Sequence, residues 1–366
     1  MEDTLGSALA EAGATLSAAG LDEPRRRARR LVAGFFGITL TELLSHTDRA
    51  VELPAVQRFR ESLFRMANGE PLSRILGWRE FWGLPFSLSA DTLDPRPESE
   101  TLVDAVIRRL GDRNAPLRIL DLGTGTGCLL LALLSECPAA AGVGVDVAPG
   151  AVITARMNAA SLGFGARTQF FIGDWGSALS GPFSVIVANP PYIASGAFAG
   201  LPPEVGHHDP RLALDGGGDG LAPYRRIAED LPALLANGGV FAGEVGAGQA
   251  AGAAEILKAR GLLIDDIECD LVGIERCVVA HLDENRPVRV SLGWSKKPWN
   301  MSASRLGSSG GGFDAARAAL NMHAGLPRVR SRVDEEPSNP DKAPACPPRS
   351  DRCHETRSKQ AIAWPQ

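Results

Sequence analysis

The sequence predicts an α/β protein: an open, mostly parallel sheet preceded by a small bundle of helices. Three observations point there. Short β-branched runs end abruptly in glycine or proline and alternate with helical patterns, the order expected of βα units. A glycine-rich loop, Gly123-Thr124-Gly125-Thr126-Gly127, stands between a strand and a helix, where a ligand can approach the backbone and meet the N–H groups of a helix start. Residues 1–70, in contrast, carry helical periodicity only.

The 366 residues give room for two domains and a tail, and 44% apolar content suffices for a sizeable core. A net charge of −5 argues against a protein whose business is coating nucleic acid, so no stable nucleic-acid binding is expected. No apolar run approaches the roughly 18 residues of a membrane span. The acidic start Met1-Glu-Asp-Thr4 is unlike a signal peptide. Cysteines 128, 137, 269, 277, 346 and 353 form no CxxC pair and have no histidine at metal-ligand spacing. Reduced thiols, no metal, a cytoplasmic location and a monomer are the expectation.

Along the chain, Leu5, Leu9, Ala12 and Leu16 recur at helical spacing. Asp22 reads as the N-cap of a second helix with Pro24 just inside it, carrying the arginine cluster Arg25–Arg30. Thr39-Leu-Thr-Glu42 is a capping-box pattern, and Pro54 to Ala67 makes a fourth helix stopped by Asn68-Gly69. Residues 71–92 read as a β-hairpin linking this helical domain to a second domain over 93–284. There, the Pro-rich loop Asp94-Pro-Arg-Pro-Glu-Ser-Glu-Thr101 leads into a helix and is placed on the active-site wall. Strands follow at Arg118–Leu122, Ala141–Val145, Thr168–Ile172, Val185–Val187, Val240–Val245, Leu263–Cys269 and Glu275–His281, with helices at Cys128–Leu134, Leu221–Ala236 and 249–260.

Four features cluster at strand ends, where open α/β sheets bind ligands. A dinucleotide fingerprint needs glycine at 128, where this chain has Cys128, so NAD is disfavoured. Asp146, 19 residues past Gly127, is placed to accept hydrogen bonds from both hydroxyls of a ribose. Asp174 and Trp175 are placed to flank an adenine, residues Gly123 to Gly127 to pass under the sugar and amino-acid portion of an adenosine cofactor, and Asn189 to border the cofactor as well as the substrate. The fourth feature is Asn189-Pro190-Pro191-Tyr192. Pro191 fixes its own φ and restricts Pro190, so the carbonyls of Asn189 and Pro190 point in reproducible directions. With the Asn189 side-chain oxygen and the flat face of Tyr192, the turn suits a planar group carrying an NH2. Holding both hydrogens of such a nitrogen and aiming its lone pair is catalysis by orientation, worth roughly 7–11 kcal/mol in favourable cases. As a plain structural turn it would explain the prolines but not the company they keep.

Between Ala194 and Asp219 lies a loop-rich insert with His207-His208. Adjacent residues point apart and no third ligand is near, so a loop shaping the substrate entrance is expected there. Residues 285–366 are rich in Ser, Gly, Pro, Arg and Ala; positions 296–366 hold 12 Lys and Arg against 7 Asp and Glu. That composition predicts a disordered tail, with one short helix at Phe313–His323.

The glycine loop, the acid and the Asn-Pro-Pro-Tyr turn together resemble the class I S-adenosylmethionine-dependent methyltransferases. More narrowly, residues 1 to 283 resemble the release factor glutamine methyltransferase family through Glu70-Pro-Leu72, Gly77-Trp-Arg-Glu-Phe-Trp-Gly-Leu84, Pro95-Arg-Pro-Glu-Ser-Glu100, Leu120–Cys128, Gly173-Asp-Trp175, Asn189–Ile193 and Leu212-Ala-Leu-Asp-Gly-Gly217. The resemblance implies a Rossmann-like, seven-stranded, mostly parallel sheet and S-adenosylmethionine as cofactor, converted to S-adenosylhomocysteine. It implies as substrate the glutamine of a Gly-Gly-Gln loop in class 1 peptide chain release factors, gripped in part by the helical domain. Asn189 and the Pro190 carbonyl would accept the two amide hydrogens, with Pro191 and Tyr192 completing the substrate contact. Ser184 and Asp209 depart from the family's usual acid and glutamate, both away from the chemistry. The same turn also serves enzymes that methylate a ribosomal-protein glutamine or adenine N6, and a silent cofactor-binding scaffold is the reading from another class. Because the tail lies outside the family pattern, a chain cut after residue 284 is expected to keep full methyl-transfer activity; loss of turnover on truncation would contradict this.

Overall fold

The computed structural model describes residues 3–201, 206 and 208–282. The tail expected over 285–366, its helix at Phe313–His323, and His207 lie outside the described residues.

Helices Leu5–Ala18, Pro24–Phe36, Leu40–Ser45 and Leu53–Ala67 enclose a core of Leu5, Leu16, Leu31, Leu43, Phe59 and Leu63. Thr4 and Ser7 form one capping box and Thr39 and Glu42 the expected other. Asp22 is not the N-cap of the second helix. Pro24 is its first residue, and the boundary falls at Glu23, whose φ of 48° takes it out of the helical region and which supplies no side-chain cap. The Asp22 carbonyl instead accepts from Arg27 Nε at 2.9 Å.

The hairpin expected over 71–92 is shorter than the sequence suggests. Leu72–Leu76 is a helical turn, because Leu72 and Ile75 share one face and pack on the helical core. The hairpin itself is β1 (Trp78–Phe81) with β2 (Leu84–Ser87). Trp82 and Gly83 both have positive φ, 54° and 73°, as a two-residue turn between right-twisted strands demands.

The large sheet contains β3 (Arg118–Leu122), β4 (Ala141–Asp146), β5 (Thr168–Ile172), β6 (Phe183–Ala188), β7 (Leu235–Glu244), β8 (Leu262–Cys269) and β9 (Glu275–Leu282). Their spatial order is β5-β4-β3-β6-β7-β9-β8, and β9 alone runs against its neighbours. This is the Rossmann-like, mostly parallel arrangement that the sequence predicts. One difference is at β7, which begins at Leu235 rather than Val240. The preceding helix stops at Leu234, and Gly238-Gly239 sits inside the strand, where the register against β6 shifts between Phe183 and Val185.

Alternation along the strands divides the core. Ile119, Val185, Val187, Ala242 and Val279 face helices Glu100–Arg109, Cys128–Glu136 and Pro149–Ser161. Leu120, Leu122, Ile186, Phe241 and Val278 face helices Ala222–Leu234 and Ala250–Lys258. With both faces covered, the strands can be apolar throughout. The chain moves outward from β3 to β4 and β5, then returns to place β6 on the other side of β3. The carboxyl ends of these strands therefore open into the crevice of a topological switch point.

Candidate active site

Register brings the expected groups to one level. Leu122 pairs with Val145 and with Ala188, and Asp146 with Ile172, so the residues that follow leave the sheet side by side. The loop after β3 is anchored by the Gly123 and Thr124 N–H groups, both donating to the Val145 carbonyl at 2.9 Å. Gly123, Gly125 and Gly127 have φ of 74°, 54° and 82°, values side chains rarely tolerate. A Cβ on Gly125 would point into open space, whereas one on Gly123 would lie 3.3 Å from the Trp175 ring. Trp175 thus supports the loop from below and packs on the core. Asp174 stands exposed at the rim, 3.4 Å from Arg226.

Asp146 ends β4 with one oxygen accepting from Gly125 N and the other from Ala148 N, each at 2.9 Å. Burial raises its pKa, opposed by those backbone bonds. Each oxygen keeps a lone pair for a further donor, which is the chemistry a ribose diol needs. Behind it Asp121, fully buried, accepts from Thr124 Oγ1 at 2.7 Å while its Oδ1 and the Thr126 hydroxyl have no partner. Burial, with the Asp146 charge adding to it, pushes Asp121 up to about 7.

At the end of β6 the Asn-Pro-Pro-Tyr turn is braced from two sides. Ile193 N donates to the Leu214 carbonyl at 3.0 Å, and Gly216 N to the Ile193 carbonyl at 2.8 Å. Gln249 Nε2 holds the Tyr192 carbonyl at 2.9 Å and its Oε1 accepts from Gly246 N at 3.0 Å. Gly220 has no room for a side chain, since its Cβ would lie 2.4 Å from that same carbonyl. Asn189 Nδ2 donates to Ser99 Oγ at 3.1 Å, which leaves the Asn189 Oδ1 as the end of the amide that can accept. Burial, with Glu244 nearby, raises the Tyr192 phenol well above its ordinary value, so it stays neutral.

Two family models match the chain, one described as the PrmC N-terminal domain over residues 7–77 and one as the methyltransferase small domain over 81–200. The release factor glutamine methyltransferase of Rhodospirillum rubrum is 49% identical over 276 residues, 75% of this chain and 84% of that protein. The chain belongs to the release factor glutamine methyltransferase family. The relative of that name from Agrobacterium fabrum is 42% identical over 75% of this chain and 96% of its own length. A solved structure described as a release factor-specific protein-(glutamine-N5) methyltransferase from Alicyclobacillus acidocaldarius is 30% identical, covering 51% of this chain and 92% of that one, with a TM-score of 0.32.

One buried acid beside the Asn-Pro-Pro-Tyr turn is not among the residues the sequence points to. Glu244, 2% exposed with Oε2 unpartnered, lies one residue beyond the Ala188–Gly243 pair, beside Asn189. Its signal was available, a lone acid closing an apolar strand parallel to the one that ends in Asp146. Burial pushes Glu244 up to about 7, with the Ser99 hydroxyl and Arg276 opposing. Asp209, read from the sequence only as a departure away from the chemistry, ties loops together. It accepts from Arg74 at 2.6 Å and Arg96 at 2.5 Å, joining the segment before the hairpin, the Pro-Arg-Pro-Glu loop and the insert near the Asn-Pro-Pro-Tyr turn. No sequence pattern announces a pairing across 135 positions. Among the described residues, no group of His, Cys, Asp and Glu gathers in a way that would hold a metal.

The Glu244 shift has a measurable consequence. An acid raised in the folded state contributes fully below its ordinary value of 4.5 and loses that contribution as pH rises toward about 7. Glu244→Gln is therefore expected to gain stability over the wild type at pH 8, on the order of 3 kcal/mol, and to gain nothing at pH 4. Denaturant unfolding at both pH values checks it; equal differences at the two would contradict the assignment.

Proposed function

We propose that this enzyme methylates the side-chain amide nitrogen, N5, of the glutamine in the Gly-Gly-Gln motif of class 1 peptide chain release factors, with S-adenosylmethionine as methyl donor. The observation that carries the reading is the braced turn, in which Asn189 gives its NH2 to Ser99 and so keeps Oδ1 to accept, with the Pro190 carbonyl next along the chain. Two fixed acceptors match the two hydrogens of a primary amide, and Tyr192 offers the ring face against which its plane packs.

The cofactor-side residues fit the donor. Glycines 123, 125 and 127 take left-handed φ, Thr124 and Thr126 between them are buried, and Asp146 offers two carboxylate oxygens. Gly123 to Gly127 would underlie the sugar and amino-acid portion and Asp146 would hold the ribose. Asp174 and Trp175 would bound the adenine, Trp175 chiefly by fixing the loop. S-adenosylmethionine, when bound, supplies an electrophilic methyl on a cationic sulfur. The rest is positioning by the chain. Asn189 Oδ1 and the Pro190 carbonyl orient the amide so that its nitrogen lone pair faces the donor, while Pro191 denies the turn freedom to relax. No side chain need act as base, since an amide nitrogen that gains a methyl becomes acidic enough to lose its proton to water. No helix among the described residues is long and apolar enough to cross a membrane. With a release factor as substrate, the enzyme would act in the cytoplasm, as a monomer.

Asn189→Ala separates the two halves of the site. Turnover on a release factor is expected to fall by roughly a hundredfold or more while S-adenosylmethionine affinity by calorimetry stays within about twofold. Equal loss of both would remove the amide-orienting role from this side chain.

A further inference from the structure

We propose that Ser99 and Glu244 are positioning residues that decide which way round the Asn189 amide faces, and hence whether the crevice presents an acceptor or a donor to the substrate amide. The inference rests on the reading of the turn given under the proposed function and adds what enforces it.

The three groups come from three elements. Asn189 leaves β6, Glu244 ends the adjacent β7, and Ser99 stands just before helix Glu100–Arg109. Ser99 and Glu244 are each 2% exposed, so water does not compete for their hydrogen bonds. A serine hydroxyl has one proton to give and two lone pairs to receive. Glu244 ends the strand paired with the one that leads into Asn189, the Ser99 hydroxyl favours its charged form, and an ionised carboxylate can only accept. Above about pH 7, where Glu244 is ionised, it therefore draws the Ser99 proton and leaves the hydroxyl oxygen able only to receive.

That oxygen sits 3.1 Å from Asn189 Nδ2. A receiving-only partner selects the NH2 end of the Asn189 amide, and Oδ1 is turned outward. Were the Ser99 proton free, it would bond equally well to Oδ1. The amide would then turn over and set its own NH2 against the NH2 of the substrate. Two donors facing each other would leave both without a partner, in a site where an unmet polar group costs about 1–3 kcal/mol. The unpartnered Glu244 Oε2 has the same sense: the cluster is short of donors, so each donor it meets is claimed.

The test pairs kinetics with the side-chain NH2 resonances of Asn189. Ser99→Ala is expected to lower kcat on a release factor about tenfold, with S-adenosylmethionine affinity unchanged. Ser99→Thr, which keeps the hydroxyl, is expected to recover most of that loss. Glu244→Met removes the acceptor at similar length and is expected to lower kcat likewise, whereas Glu244→Gln keeps a carbonyl acceptor and most of the turnover. In nitrogen-15 spectra of the wild type, one Asn189 amide proton is expected to be protected from exchange, a protection lost in Ser99→Ala and kept in Ser99→Thr. Wild-type kcat in both Ser99→Ala and Glu244→Met would overturn the inference, as would Asn189 resonances that Ser99→Ala leaves unmoved. If Ser99→Thr is too crowded to fold, the Glu244 pair decides. A wild-type enzyme that labels no release factor would overturn the functional reading instead, and the resonances alone would then decide the orientation.

Discussion

The site depends on a turn that cannot relax. Asn189-Pro190-Pro191-Tyr192 leaves the middle of a parallel sheet with two prolines in succession, so it has few conformations to lose and no N–H at either proline for solvent to claim. Backbone bonds from Ile193 and Gly216, and the Gln249 amide on the Tyr192 carbonyl, remove what freedom is left. A weak nucleophile such as a primary amide gains most from geometry, and geometry is what a stiff, doubly braced turn supplies.

Rigidity of this kind is bought with buried polar groups. Asp121 and Glu244 each lie under the crevice with an oxygen unpartnered and a pKa raised by burial to about 7. Neither burial favours the fold, since a lone buried carboxyl costs more than the apolar residue that would replace it. Asp209 is different in kind. Clasped by Arg74 and Arg96, it satisfies its charge and draws the insert after the turn against the Pro-Arg-Pro-Glu segment. The chain thus spends stability where it must orient a substrate and recovers it where it must only hold two loops together.

Much of this was legible in the sequence because it is local. A glycine loop between a strand and a helix, an acid at the next strand tip, and a Pro-Pro turn after a β-branched run each state their geometry within about ten residues. Their convergence follows from the parallel order of the strands. What stayed hidden is non-local. The Ser99 hydroxyl meets Asn189 across 90 positions, and Glu244 comes level with Asn189 only because β7 pairs with β6. The Asp22 cap failed for a smaller reason, since the helix boundary falls at Glu23, one residue later, and Glu23 supplies no side-chain cap. The strand at Leu235 was obscured by Gly238-Gly239, which reads as a turn but here sits at a shift of register.

The most direct test of the account is transfer of labelled methyl from S-adenosylmethionine to separate samples of a class 1 release factor, a ribosomal-protein mixture and duplex DNA, with the modified residue mapped by mass spectrometry. The account predicts label on the release factor alone, on N5 of the Gly-Gly-Gln glutamine. Label confined to a ribosomal protein or to adenine would leave the fold and the cofactor crevice standing and contradict the assigned substrate.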